Sequence, residues 1–180
     1  IISFTQEKKD LSVSFGTGKL TSPYYPNNDA RGFYSVDLDY YLSKRHILSA
    51  NFNAGGHGYY DNVLSNTAVF LYEKDKNAKA SYRVSSVMYK YKFLNKKIFS
   101  ADIGTGAGIM THTREYPYRE NSSYYYRQST WTDLVFPVRV QFDYKLSKHL
   151  QLGLIGGFFI HPDYPILAYH AGPRISYILK

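Results

Sequence analysis

A chain of 180 residues is expected to form one domain, long enough to close a barrel of modest size and too short for a large pore or a plugged transporter. Its hydrophobic content of 44% is ordinary, and no run reaches the ~18 apolar residues of a membrane helix. Membrane-crossing strands stay open, because alternating faces average out in hydropathy. Zero cysteines excludes a disulfide scaffold and a thiolate metal site, and a net charge of +8 calls for an anionic partner. The unusual quantity is the aromatic share, 18%, with 20 tyrosines.

Residues 1–9 have two readings, an N-terminal strand or the remnant of a signal peptide processed near Gln6. The domain proper is read as 10–180, and eight strands are predicted in it. The first, 10–20, sets Leu11, Val13 and Phe15 against Ser12 and Ser14. After a Pro/Asn/Asp loop, the second, 32–42, alternates Tyr34, Val36, Leu38, Tyr40 and Leu42 with Ser35, Asp37 and Asp39. A turn at 43–46 leads to the third, 47–58, and a long polar loop is expected at 59–79. The fourth, 80–92, puts Val87, Tyr89 and Tyr91 opposite Met88 and Lys90. The fifth, 98–112, sets Phe99, Ala101, Ile103, Ala107 and Ile109 against Ser100, Asp102, Gly104, Gly106 and Gly108. A second long loop is expected at 113–130.

The sixth strand, 131–145, carries the clearest signal. Leu134, Phe136, Val138, Val140, Phe142 and Tyr144 form one face, and Asp133, Val135, Pro137, Arg139, Gln141, Asp143 and Lys145 the other. Strict period-2 alternation means an extended strand. It is longer than the ~5–6 residues usual in soluble sheets and long enough for the ~9–11 that cross a bilayer. The seventh, 149–160, sets Leu150, Leu152 and Leu154 against Gln151, Gly153 and Gly157. The eighth, 167–180, sets Tyr169, Ala171, Ile175, Tyr177 and Leu179 against His170, Gly172, Arg174 and Ser176.

Three connections are short and four longer, and the short ones repeat a pattern: DYYLSKRHIL, YKFLNKKIF and DYKLSKHLQL. Aromatics gather at strand ends, with Tyr40, Tyr89, Tyr91, Phe142, Tyr144 and Tyr177 near the short turns and Tyr34, Trp131 and Tyr169 near the long loops. Two such girdles suit the two interfaces of a bilayer. The prediction is an all-β, eight-stranded, antiparallel up-and-down transmembrane barrel. By parity its lumen holds Asp37, Asp39, Lys90, Asp102, Asp133, Arg139, Asp143 and Arg174, whose charges must pair or stay hydrated.

On strand count, loop asymmetry and the aromatic–LSK–aliphatic corners, such as Tyr144 through Leu150, the chain over 10–180 resembles the small eight-stranded outer-membrane β-barrels of the OmpA/OmpX type from Gram-negative bacteria. It departs from them in ending ISYILK, with Lys180 where an aromatic is usual. The resemblance implies outer-membrane localisation, periplasmic short turns, extracellular loops, and assembly by the barrel-assembly machinery. It also implies contact with the bilayer and outer-leaflet glycolipid, and an extracellular ligand or host surface met by the Tyr-rich loops. No cofactor, metal or nucleic-acid partner is expected, since the basic residues are scattered over turns and loops.

Two alternatives remain at this point. Some barrels of this size modify lipid A, for which His112 with Glu115 and Ser122 is the best local combination. The second is a soluble lipocalin-like barrel, with the Leu134–Val140 face turned inward around an apolar ligand.

Overall fold

The computed structural model describes residues 10–24, 29–62, 64–65, 74–120, 123–163 and 165–179. The two readings of 1–9 therefore lie outside the described residues. Nine strands are present among the described residues: β1 Leu11–Thr21, β2 Asp29–Tyr41, β3 His46–Asn62, β4 Leu64–Ser65, β5 Lys74–Asn95, β6 Phe99–Glu120, β7 Ser123–Lys145, β8 Leu150–Ile160 and β9 Ala168–Leu179. β4 is a two-residue strand that pairs in parallel with Tyr118 and Arg119 of β6. The other eight form an antiparallel sheet in which β1 pairs with β9 and β6 with β7. Each long strand thus has a neighbour on both sides, and the sheet closes without an edge. Closure matters in a bilayer, where an unpaired strand edge has no water to bond.

The two faces of the sheet differ in the way the alternation predicts. On β2, Asp37 is 1% exposed and its neighbour Leu38 44%. On β7, Arg139 is 1% exposed and Leu134 60%. Asp37, Asp39, Lys90, Arg139 and Arg174 are buried inside, and Val36, Leu38, Val87, Phe136 and Phe142 are exposed outside. A soluble barrel would reverse this, so the lipocalin-like reading fails on the direction of the faces. Ala101 keeps the outward phase predicted for it but is covered, 0% exposed. Its methyl lies opposite the larger Phe142 on β7, beside a register shift between Lys92 and Leu94 of β5.

The strands run farther than expected at the loop end. The long loop expected at 113–130 is a hairpin instead, with β6 reaching Glu120 and β7 starting at Ser123. Thr111 bonds Thr132 at 3.3 Å and Thr113 bonds Thr130 at 3.0 Å across it. Likewise β3 and β5 extend to Asn62 and from Lys74 into the expected 59–79 loop, and β2 begins at Asp29. The short connections at 42–45, 96–98 and 146–149 overlap the turns expected at 43–46, 93–97 and 146–148.

The glycines of β6 permit close packing with β5. The register runs from Gly104 through Gly108 without a shift. A Cβ on Gly104 would sit 2.7 Å from Lys90 Cγ, and one on Gly106 would fall against the Val87 carbonyl oxygen. Gly106→Val is therefore expected to destabilise the barrel by about 1–3 kcal/mol through overpacking, while Ala107→Val on the outer face is tolerated. Denaturant titration in micelles would separate the two, and equal midpoints would refute the packing argument.

Candidate functional site

The interior is stratified. Toward the short turns lies a polar layer centred on Arg139, whose Nη1 donates to Asp37 Oδ1 at 2.7 Å. Its Nη2 donates to Asn53 Oδ1 at 2.7 Å and Asn51 Oδ1 at 3.1 Å. Lys90 Nζ donates to Asp39 Oδ1 at 2.8 Å and lies 3.7 Å from Asp37 Oδ2. Arg174 Nη1 donates to Gln141 Oε1 at 2.8 Å and Asp143 Oδ2 at 3.2 Å, and its Nη2 donates to Ser14 Oγ at 2.7 Å. Six strands contribute to one network around residues that are each at most 5% exposed. Buried charges persist only in such company, because each lone ion would cost several kcal/mol.

Of the eight charges expected in the lumen, six are joined here: Asp37, Asp39, Lys90, Arg139, Asp143 and Arg174. Asp102 is buried in the same layer, opposite Lys92 in the β5–β6 register, and forms no ion pair with a described residue. Asp133 does not belong. It lies on the inner face but near the mouth, with a side chain 41% exposed and 3.5 Å from His161 Nε2. The amides Asn51, Asn53 and Gln141, with Ser14, complete the network and were not singled out from the sequence. Their signal was inward parity alone, since an amide carries no net charge to demand a partner.

Above this layer the interior turns apolar and aromatic. Leu20, Phe33, Val84, Met110, Val135 and Phe159 belong to one buried cluster. His170 stacks on Phe33 with centroids 4.1 Å apart, and His112 on Tyr82 at 4.6 Å. His57 Nε2 bonds Tyr82 Oη at 3.0 Å. The inward histidines are thus held by rings, not gathered as ligands. Among the described residues no group of three His, Cys, Asp or Glu is placed to hold a metal.

The lipid A-modifying combination does not assemble. His112 is paired with Trp131 and Glu115 with Gln128, an odd separation along β6 that sends the two side chains to opposite faces. Glu115 Oε1 accepts from Gln128 Nε2 at 3.4 Å on the exposed side. Ser122 lies outside the described residues.

The girdle residues Tyr40, Tyr89, Tyr144, Phe142, Tyr177, Tyr34 and Tyr169 are exposed on the outer face, 40–56% each, and Tyr91 is partly exposed. Trp131 is a correction. It shares the inward parity of Asp133 and packs against His112 with centroids 4.8 Å apart, at the mouth and not on the lipid-facing wall.

Beyond the mouth the β6–β7 hairpin continues the inner face with Arg114, Tyr116 and Tyr118 on one strand, and Tyr125 and Arg127 on the other. Arg114 lies over the Tyr116 ring at 4.5 Å and the Tyr59 ring at 5.0 Å, and Arg127 over Tyr118 at 5.0 Å. Arg114 Nε also donates to Tyr59 Oη at 2.9 Å.

No family model and no curated protein matches the chain in sequence. Solved structures do match in shape. Neisserial surface protein A superposes with a TM-score of 0.61 at 8% identity, covering 93% of this chain and 95% of that one. OprG of Pseudomonas aeruginosa gives 0.60 at 9%, covering 98% and 96%. Ail of Yersinia pestis gives 0.58 at 9%, covering 96% and 99%, and has also been solved in complex with the heparin analogue sucrose octasulfate. The chain has the fold of the small eight-stranded outer-membrane β-barrels. Its exposed apolar belt, flanked by tyrosines, is the surface that a bilayer covers in that fold.

Proposed function

We propose that this outer-membrane barrel is a surface-interaction protein without an open pore, whose projecting β6–β7 hairpin binds anionic sugars. The observation that carries this reading is the face formed by Arg114, Tyr116, Tyr118, Tyr125 and Arg127. Flat rings suit sugar faces, and guanidinium groups suit sulfate or phosphate oxygens in pairs. The stacking holds each guanidinium over a ring and limits the freedom lost on binding. An outer-leaflet glycolipid and an extracellular sulfated glycan offer the same chemistry. The interior polar layer then serves as structure, tying strands together beneath a plug of rings. The apolar cluster around Phe33, Met110 and Val135 lies above that layer, which supports an interior without a continuous polar path.

The test is calorimetric titration of the folded protein in micelles with sucrose octasulfate and, separately, with purified lipopolysaccharide. Charge-assisted bonds are worth ~1.5–3 kcal/mol each, so Arg114→Gln with Arg127→Gln is expected to weaken binding by at least about tenfold. Tyr125→Ala, which removes an exposed ring from the same face, should weaken it by a smaller factor. No binding of either probe by the parent, or binding indifferent to both substitutions, would overturn the reading.

A further inference from the structure

The charge of this chain is not spread evenly along the barrel. Inside, Asp37, Asp39, Asp102 and Asp143 balance Lys90, Lys92, Arg139 and Arg174. At the loop end, among the side chains described, Lys19, Arg31, Lys79, Arg83, Arg114 and Arg127 are offset by Asp29, Glu115, Glu120, Asp133 and Asp163. The short-turn end has no such balance. Lys44, Arg45, Lys96, Lys97 and Lys148 are exposed there, with Lys145 buried beneath them, and Asp10 is the only carboxylate at that end among the described residues. None of the five exposed cations makes an ion pair with a described residue.

This rim is built from three like corners. Ser43 Oγ accepts from the backbone N–H groups of Arg45 and His46, both at 3.2 Å. Ser147 Oγ accepts from those of His149 at 3.2 Å and Leu150 at 3.0 Å. Asn95, at the matching place in the middle corner, donates to the Lys44 carbonyl at 3.3 Å and accepts from Lys145 Nζ at 2.8 Å. Neighbouring corners are therefore tied together, and the cations project from a fixed frame. Beside them each corner exposes an apolar side chain: Leu42 is 43% exposed, Phe93 51%, Ile98 44% and Leu146 47%.

Cations alone suit any polyanion. Cations interleaved with exposed apolar side chains suit a surface that is anionic and oily at one depth, which is the headgroup region of a phospholipid leaflet. There a lysine stem lies along acyl chains while its ammonium reaches the phosphates. A carbohydrate polymer or a nucleic acid would leave Leu42, Phe93, Ile98 and Leu146 in water. We propose that the short-turn rim is a binding belt for anionic phospholipid headgroups, holding a shell of them in the leaflet that faces the turns. The proposal rests on the bilayer reading of the apolar belt and is independent of sugar binding at the hairpin.

The experiment reconstitutes the full chain into phosphatidylethanolamine vesicles doped with phosphatidylglycerol, and reads the composition of the first lipid shell with spin-labelled lipids. The expected result is a shell enriched in phosphatidylglycerol by about fivefold, falling as salt is added. In the variant K44Q/R45Q/K96Q/K97Q/K148Q the enrichment should drop to near parity, and in K44Q/K96Q/K148Q to an intermediate value. The loop-end variant K19Q/K79Q/R83Q should match the parent. Absence of enrichment in the parent, enrichment that survives the fivefold variant, or loss in the loop-end variant would each overturn the proposal. So would rim-dependent binding to isolated peptidoglycan without any lipid preference. Failure to insert into vesicles of either composition would overturn the bilayer reading itself and the proposal with it.

Discussion

Arg139→Met is expected to lower the unfolding free energy of the barrel by about 3–5 kcal/mol, and adding Asp37→Leu to recover most of that loss. The guanidinium is 1% exposed and supplies the donors for Asp37, Asn51 and Asn53. Without it the buried Asp37 carboxylate keeps the neutral amides of Asn51 and Gln141 and a single ion-pair partner, Lys90, which Asp39 already holds at 2.8 Å. The single substitution strands a charge, whereas the double one replaces a pair by apolar volume. Arg139→Lys should fall between, because an ammonium cannot reach the carboxylate and both amides with a planar fork. Urea titration in micelles followed by fluorescence is a direct measurement, since the only tryptophan, Trp131, packs on His112 at the mouth. A single variant within ~0.5 kcal/mol of the parent, or a double variant worse than the single, would show that the network does not hold the barrel together.

The membrane-crossing part of this fold was legible because a barrel strand has only two directions for a side chain. Parity alone separated Asp37 from Leu38 and Arg139 from Leu134, and the turns read at 43–46, 93–97 and 146–148 overlap the corners found at 42–45, 96–98 and 146–149. What parity cannot give is height along the strand. Asp133 has the inward phase of Arg139 and Asp143, yet it sits near the mouth and meets His161 instead of the network. Trp131 shares that phase, and its assignment to the outer girdle followed amino-acid type where phase should have decided. The β6–β7 hairpin was hidden for a different reason. Outside the bilayer neither face must be apolar, so the alternation that marks a strand vanishes from Thr113 to Thr130, leaving only the β-propensity of threonine and tyrosine. The polar network was half visible: charges announce a need for partners, while Asn51, Asn53 and Gln141 meet that need without announcing it. The uneven distribution of the +8 was in plain view, but it emerges only once the residues are sorted by end of the barrel.

The outward face makes the second large prediction. Val87 is 57% exposed and lies midway along β5 between Arg83, an exposed cation toward the loop end, and Tyr91 of the girdle near the turns. Val87→Lys places an ammonium at the centre of the apolar belt, which in lipid costs about 2–4 kcal/mol. Phe93→Lys, at the turn end of the same strand and face, should cost only about 0–1 kcal/mol, because its ammonium reaches the headgroups. Depth dependence of this kind separates a bilayer from every aqueous alternative. In water an exposed valine replaced by lysine changes stability by less than ~0.5 kcal/mol wherever it stands. Reversible unfolding from lipid vesicles measures both variants against the parent. Equal costs at the two positions would mean that the belt of leucine, valine and phenylalanine around this barrel is not covered by lipid. The inverted arrangement of its faces, with charges inside and apolar rows outside, would then need some other solvent to explain it.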